Sequence, residues 1–255
     1  MSDGTGGVDA SIGFETLREE DSGSAFNDSL TFFQPYMNAQ ISTSDLIALS
    51  VVMSVGNCGG PVIPFRSGRI DASEAGPFGV PAPDTSLELT LEYFANAGFN
   101  QTDSIALTAC GHTLGSVHHG GFPTVVGLEA VSKDNTNGAV HFDETVAVFD
   151  PLVVQDYVDG TGNQGGPLVT SFNVSSRSDL RLYASDGNET MVGLKNQGPQ
   201  GFSDTCTGLL RRMIETVPEF VQLSDVLEPL VVKPVNATFD ISTNGTLDFT
   251  GFVRV

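Results

Sequence analysis

The sequence predicts a mainly α-helical domain followed by a short C-terminal β appendage. Apolar residues recur at helical spacing in several segments between residues 27 and 217, and helix-capping residues stand at the starts of several of them. From Pro229 the pattern changes to alternation around Asn244-Gly245, a strong hairpin dipeptide. A chain of 255 residues can bury a sizeable core and has room for one domain plus an appendage. The expected division is 1–228 and 229–255.

Residues 1–24 are rich in Gly and Asp and read as a loop leading into a helix. Leu30, Phe33 and Met37 share one side of a helix over Asn27–Met37, which Pro35 bends or ends. Ser42-Thr-Ser-Asp45 caps a buried helix that runs to Met53 and is stopped by Gly56-Asn-Cys-Gly-Gly-Pro61. Residues 59–84 hold many prolines and glycines and read as a long ordered loop, a length that usually accompanies function. Asp84-Thr-Ser86 caps a helix carrying Leu87, Leu91, Phe94 and Ala95, which Gly98 closes. Thr102 or Asp103 caps an apolar helix containing Ile105, Leu107, Ala109, Cys110 and Leu114, with His112 carried inward. Gly120–Gly138 reads as loop, Asp143–Val158 as partly helical and Gly160–Gly166 as a flexible turn. Ser178–Ala184 and Ser203–Val217 read as further helices, the second stopped by Pro218. Val231, Val235, Thr238, Asp240 and Ser242 then alternate with other side chains, and strand resumes at Leu247.

With 31 acidic against 11 basic residues the formal net charge is −20, a surface that repels phosphate backbones and anionic lipid. Nucleic-acid and membrane partners are therefore not expected. The longest apolar run, Leu46–Val55, is too short to span a bilayer and contains serines. Asn27, Asn100, Asn173, Asn188, Asn236 and Asn244 each begin an Asn-x-Ser/Thr triplet, which favours a secreted glycoprotein. Met1-Ser-Asp-Gly-Thr5 is not a signal peptide, and the three cysteines, Cys58, Cys110 and Cys206, are an odd number for a secreted chain. One expectation covers both: a leader and at least one cysteine partner lie outside these residues.

An imidazole in an apolar helix such as that of His112 needs another polar group, a metal or a haem iron, and a satisfied core histidine is the plain alternative. Ala109-Cys-Gly-His-Thr-Leu-Gly115 resembles the proximal-histidine helix of the plant/fungal haem peroxidase superfamily. Gly59–Ala72, the run onward to His118, and Gly4–Ile12 are similar to secreted fungal, ligninase-like members, and the resemblance covers roughly residues 3–230. It implies a haem peroxidase-type helical domain in which His112 ligates the iron of haem b. It also implies that Asp186, in Asp179-Leu-Arg-Leu-Tyr-Ala-Ser-Asp186, accepts from His112 Nδ1–H. The other reading of Asp186 is a cap on the turn before Asn188.

Gly7-Val-Asp9-Ala-Ser11 offers a carbonyl, a carboxylate and a hydroxyl at alternate positions, as a hard cation requires, and resembles the family's distal calcium loop. An aspartate that follows the family's distal histidine has no counterpart here. For a second, proximal calcium ion the resemblance implies side chains of Thr113, Asp143, Thr145 and Asp150 and the Val148 carbonyl. Carboxylates on a solvated helix start would suit any one of these residues but not the set. Pro81, in Val80-Pro-Ala-Pro83, resembles a segment near the haem access channel where a carbonyl contacts the donor, and a rigid loop is the alternative. Cys58 and Cys206 resemble bridging cysteines without evident partners, and Cys110 reads as a free buried thiol. His118 and His119 match no family role; spacing alone would allow a His112/His119 metal pair.

The implied activity is reduction of hydrogen peroxide through a ferryl intermediate at the expense of a small organic reductant, phenolic or aromatic, by a monomer. The family's Arg-x-x-Phe-His pattern, whose histidine and arginine act on peroxide, does not occur in the sequence. Arg18 does not fit it, and Asp21 stands where the family has an asparagine. The expectation is an N-terminally truncated peroxidase domain, the rival a secreted haem- or calcium-binding glycoprotein without turnover. A hydrolase has no matched nucleophile or carboxylate pair in its support.

Overall fold

A computed structural model describes residues 6–21 and 23–254; Gly4 and Thr5 of the Gly4–Ile12 match, and Val255, lie outside the described residues. In chain order the elements are α1 Ala25–Phe33, α2 Thr43–Asn57, α3 Leu87–Asn96, α4 Gln101–Gly111, β1 Ser116–His118, β2 Ala139–His141 and α5 Leu152–Asp159. There follow α6 Pro167–Thr170, α7 Ser178–Tyr183, α8 Glu189–Asn196, α9 Gly198–Ile214, β3 Lys233–Ile241 and β4 Leu247–Arg254. The protein is mainly helical with a small two-stranded sheet at its C-terminal end. It divides into two units, between Asp225 and Val226.

The core of the first unit forms where α4, α5, α8 and α9 meet. Ile105, Ala109 and Cys110 of α4 are buried in one cluster with Val153 and Val154 of α5, Met191 of α8, and Phe202, Cys206 and Ile214 of α9. Burying each large apolar side chain contributes about 1.5–3 kcal/mol relative to leaving it in water. Cys110 and Cys206 are joined in a disulfide, with Cα atoms 5.5 Å apart. This corrects two expectations at once: Cys110 is not a free thiol, and the partner of Cys206 lies within the chain. The two helices face each other so closely that the sulfurs meet. Cys58 is free.

Residues 59–84 carry no helix or strand yet are pinned in place. Arg69, only 3% exposed, donates through Nη1 to Asp45 Oδ1 (2.8 Å) and through Nε and Nη2 to the Ile214 carbonyl (3.1 and 2.5 Å). Asp45 also accepts from the backbone N–H of Gly68 and of Arg69, and Arg69 Nη1 also donates to the Arg66 carbonyl, so both members of the buried pair have further hydrogen-bond partners. The same loop closes the start of α2. Ser42 accepts from Asp45 N, while Asp71 accepts from Thr43 N and from the N–H and hydroxyl of Ser44.

Burial alone would raise the Asp71 carboxyl, but the Ser44 and Thr43 donors outweigh it and hold the group below its ordinary value. A depressed folded-state value gives stability that is present above the unfolded value of about 3.9 and lost as pH falls through the folded one. Asp71→Ala is expected to cost about 0.5–2 kcal/mol near neutral pH, the range for losing a cap. Urea midpoints should show the deficit shrinking below about pH 4 as the wild-type carboxylate protonates. A deficit independent of pH would show that the charge is not what matters.

Several elements differ from their expected limits. α1 ends at Phe33, and Gln34–Tyr36, with Pro35 inside, tightens into a 3-10 turn. α9 begins earlier than expected, with Pro199 in its first turn. α8 was not expected. Residues 120–138, read as loop, are closed off by antiparallel pairing of Ser116 with His141 and His118 with Ala139. Among the described residues no helix is long and apolar enough to cross a membrane.

In the second unit β3 and β4 pair antiparallel, with Phe239 opposite Phe249 and Ile241 opposite Leu247. Thr238/Thr250 and Asp240/Asp248 occupy the other face, as a two-residue period dictates. Asn244 Oδ1 accepts from Thr246 N, and Gly245 supplies the positive φ of the turn (82°).

Candidate functional site

The centre of the site is the C-terminal end of α4. Asn100, rather than Thr102 or Asp103, caps its start: Asn100 Oδ1 accepts from Asp103 N, and the Asp103 carboxylate accepts from Asn100 N, a reciprocal capping box. The helix ends at Gly111, and His112 is its C-cap (φ −85°, ψ 10°), its N–H still bound to the Thr108 carbonyl. Gly115, with φ 93°, then turns the chain into β1. His112 thus stands at the helix end, not within it.

His112 Nδ1 lies 2.6 Å from Asp179 Oδ2, in the first turn of α7. Asp179 is 3% exposed, and an acceptor-only carboxylate selects, for the neutral ring, the tautomer with the proton on Nδ1 and the lone pair on Nε2. Among the described residues Nε2 has no hydrogen-bond partner, and the side chain is 25% exposed. Asp186, expected in this role, instead accepts from the N–H and hydroxyl of Thr190 in the first turn of α8. The expectation is corrected by geometry. Both carboxylates follow a serine, but Asp179 opens α7, whereas Asp186 lies in the 3-10 turn beyond its end. Asp186 thus caps the start of α8, beyond Asn188, and not the turn before Asn188 that was its alternative.

Phe142 stacks on the other side of the imidazole, ring centroids 3.8 Å apart and planes within 7°. The β1–β2 pairing explains the encounter, because β1 begins just after His112 and β2 runs directly into Phe142. Gly166, at φ 98°, backs the ring: a Cβ there would lie 2.6 Å from Phe142 Cδ1 and 2.8 Å from its Cα. Gly166→Ala is therefore expected to cost about 1–3 kcal/mol from backbone strain alone. It should also displace Phe142 from His112, visible as a change in the ring-current shifts of the imidazole protons. Unchanged shifts at unchanged stability would refute the contact.

An open cavity of about 880 Å³ lies alongside, within the size range of cofactor pockets. Its wall includes Phe78, Pro81, Val117, Phe122, Leu168 and Ser176. His112 and Asp179 are not on that wall; β1 and the turn preceding α7 connect them to it. Pro81 thus takes its place at a cavity edge.

The calcium candidates fare unequally. Asp143 is 4% exposed; its Oδ1 accepts from the N–H and hydroxyl of Thr145, and its Oδ2 is buried with no hydrogen-bond partner among the described residues. Burial raises its carboxyl above the ordinary value against the pull of the Thr145 donors, and the charges of Asp150 and Asp156 add to the rise. A buried, unpaired carboxylate oxygen beside further acidic groups suits a hard cation. Thr113 is buried behind His112 and donates to the Cys110 carbonyl, Asp150 accepts from Leu152 N, and Val148 is exposed. In the other loop Asp9 accepts from Ser11 N, and Gly7 packs against Thr216, where a Cβ would fall 2.5 Å from the carbonyl oxygen. Among the described residues no group of three or more His, Cys, Asp and Glu is arranged to hold a metal. His119 Nδ1 is engaged by the Val126 carbonyl and His118 Nε2 by the Ser116 hydroxyl, and among the described residues no hydrogen bond or ring contact joins His119 to His112.

Three site residues escaped the sequence reading: Asp179, Phe142 and Tyr183, whose hydroxyl faces Asp179. The Ser178-Asp179 pair was the available signal for the first, and the others carried none.

The chain matches the family model described as Peroxidase over residues 2–192. It is 41% identical over 257 residues to a WSC domain-containing protein of Arthroderma benhamiae, taking in 99% of this chain and 34% of that protein. It is 33% identical over 177 residues to Peroxidase 40 of Arabidopsis thaliana, taking in 65% of this chain and 48% of that protein. To L-ascorbate peroxidase 5, peroxisomal, of the same plant it is 32% identical over 116 residues, 45% of this chain and 41% of that protein. The matched part spans between about a third and a half of each of these relatives.

Proposed function

The chain belongs to the haem peroxidase superfamily, and from that premise we propose that His112 holds a haem iron through Nε2 in a domain serving peroxide-dependent oxidation of a small organic reductant, phenolic or aromatic. The observation that carries this reading is the His112–Asp179 pair: a 2.6 Å contact commits Nδ1, and among the described residues Nε2 has no partner. Such a carboxylate fixes the ring's orientation and makes the imidazole a stronger donor to a metal. Haem b, when bound, would supply the redox centre that gives electrons to hydrogen peroxide and recovers them from the organic reductant. The chain's own contributions are narrower. Asp179 holds the Nδ1 proton, Phe142 restricts rotation of the ring, and Pro81 with its neighbours gives an apolar edge on which a flat donor could rest.

The secreted, ligninase-like subtype is part of the same proposal. It is supported by the six sequons, of which Asn27, Asn100, Asn236 and Asn244 are exposed. Haemin titrated into the folded chain should produce a saturable Soret band with the spectrum of a single histidine ligand. A folded chain that gives no such band overturns the reading. A band unchanged by one equivalent of peroxide favours the rival, a haem-binding domain without turnover.

We also propose a calcium ion at Asp143, with Thr113, Thr145, Asp150 and the Val148 carbonyl as its further ligands. The support is the unpaired, buried Asp143 Oδ2. An ion there would tie the segment beyond Phe142 to the start of α5. Calcium added to chelator-treated protein should raise Tm by several degrees, about what 1 kcal/mol gives in a domain of this size. Asp143→Asn should abolish the response, and a calcium response that survives in this variant would place the ion elsewhere.

A further inference from the structure

Resting on the reading of His112 as an axial ligand, we propose that Tyr183 is a positioning residue of the His112–Asp179 pair. Its hydroxyl and the imidazole N–H draw on one carboxylate oxygen, so the phenol sets how much of the carboxylate's charge reaches the imidazole. Tyr183 lies four residues after Asp179 on α7, the spacing that places two side chains on one helix face. The residue is fully buried, and among the described residues its hydroxyl meets one acceptor, Asp179 Oδ2, at 3.5 Å. The same oxygen lies 2.6 Å from His112 Nδ1, while Oδ1 accepts from the Ser178 hydroxyl at 3.2 Å.

The phenol is held where it is. Tyr157 packs edge to face on Tyr183, with centroids 5.1 Å apart, and is itself fixed by a 2.6 Å bond from its hydroxyl to Asn188 Oδ1. Burial, then the charge of Asp179, pushes the Tyr183 hydroxyl well above its ordinary value, so it remains a protonated donor. Turning away would leave a buried hydroxyl with no partner.

A donor on the shared oxygen withdraws charge from the imidazole N–H, and its removal returns that charge. Tyr183→Phe deletes one oxygen and keeps the ring packing. In the folded, haem-free chain the His112 Hδ1 proton should resonate far downfield, assigned by its disappearance in Asp179→Asn. It should move further downfield in Tyr183→Phe, and by less in Ser178→Ala, where the lost donor served the other oxygen. Replacing the chain's tyrosines with 3-fluorotyrosine strengthens the phenol as a donor and should move the resonance the opposite way. That arm keeps the hydroxyl in place, and a purely structural role for Tyr183 predicts no opposite pair of shifts. A resonance that ignores both changes, or moves upfield in Tyr183→Phe, overturns the proposal. Because these spectra need no haem, failure of haemin to bind the folded chain would sink the ligand reading separately from the role of Tyr183.

Discussion

Replacing Cys110 and Cys206 together by alanine is expected to lower the stability of the helical unit by about 2–5 kcal/mol. The bridge spans 96 residues of sequence, and constraining an unfolded chain over a loop of that length contributes about 4.7 kcal/mol in the chain-entropy model. Alanine is the informative replacement because a serine would leave a hydroxyl in a site where the two cysteines are 1% and 0% exposed. The effect should reach the site. Cys110 lies two residues before His112 in the last turn of α4, and its bridge to α9 fixes that turn against the core. Urea unfolding of the oxidised chain, the reduced chain and the double alanine variant would separate crosslink from packing. Coincident midpoints for all three would mean that the bridge adds nothing to the contact between the helices. If the reduced chain and the alanine variant both unfold earlier, and by similar amounts, the crosslink itself is responsible.

Elements specified by local chemistry were legible in the sequence. Ser42 and Ser86 each accept from the backbone N–H three residues on, as expected of a short polar side chain before an apolar run. Asn244-Gly245 makes the turn between β3 and β4 because it tolerates the backbone that turn requires. What stayed hidden depends on partners distant in the chain. β1 and β2 have three residues each, too few to show a period, and exist because they pair with one another. That pairing brings Phe142 to His112, so the stacked ring was as invisible as the strands. The cysteines were misread for a similar reason: spacing cannot show that α4 and α9 face each other. The start of α8 hides behind Asn188, whose φ of 68° breaks the chain direction before the helix begins. His112 itself was legible, but not which carboxylate serves it. Asp179 and Asp186 both follow serine, and only the direction in which a six-residue helix presents its first turn separates them.

That choice has measurable consequences at the proposed haem site. His112→Ala is expected to remove the Soret band of the haemin-loaded chain, since it deletes the donor whose Nε2 is free. Asp179→Asn should keep the band but loosen haemin binding about 10–100-fold, the usual effect of removing the group that orients a metal-binding histidine. An amide in place of the carboxylate can still accept from Nδ1–H but carries no charge to share with the ring. It can also rotate to present its NH₂ and favour the wrong tautomer. Asp186→Asn should leave haemin binding near wild type and weaken the start of α8, where Asp186 meets Thr190, by less than the roughly 0.5–2 kcal/mol that losing a cap to alanine costs, because an amide oxygen can still accept there. The contrast between the two variants matters more than either value. Both aspartates lie close in sequence to α7, so damage that spread through this helix would loosen haemin binding in both. A 10-fold or greater loss confined to Asp179→Asn requires a direct path from that carboxylate to the iron ligand. Equal losses would mean that the 2.6 Å contact does not govern the ligand. A loss confined to Asp186→Asn would return the proximal role to Asp186 and require α7 to present its far end to His112.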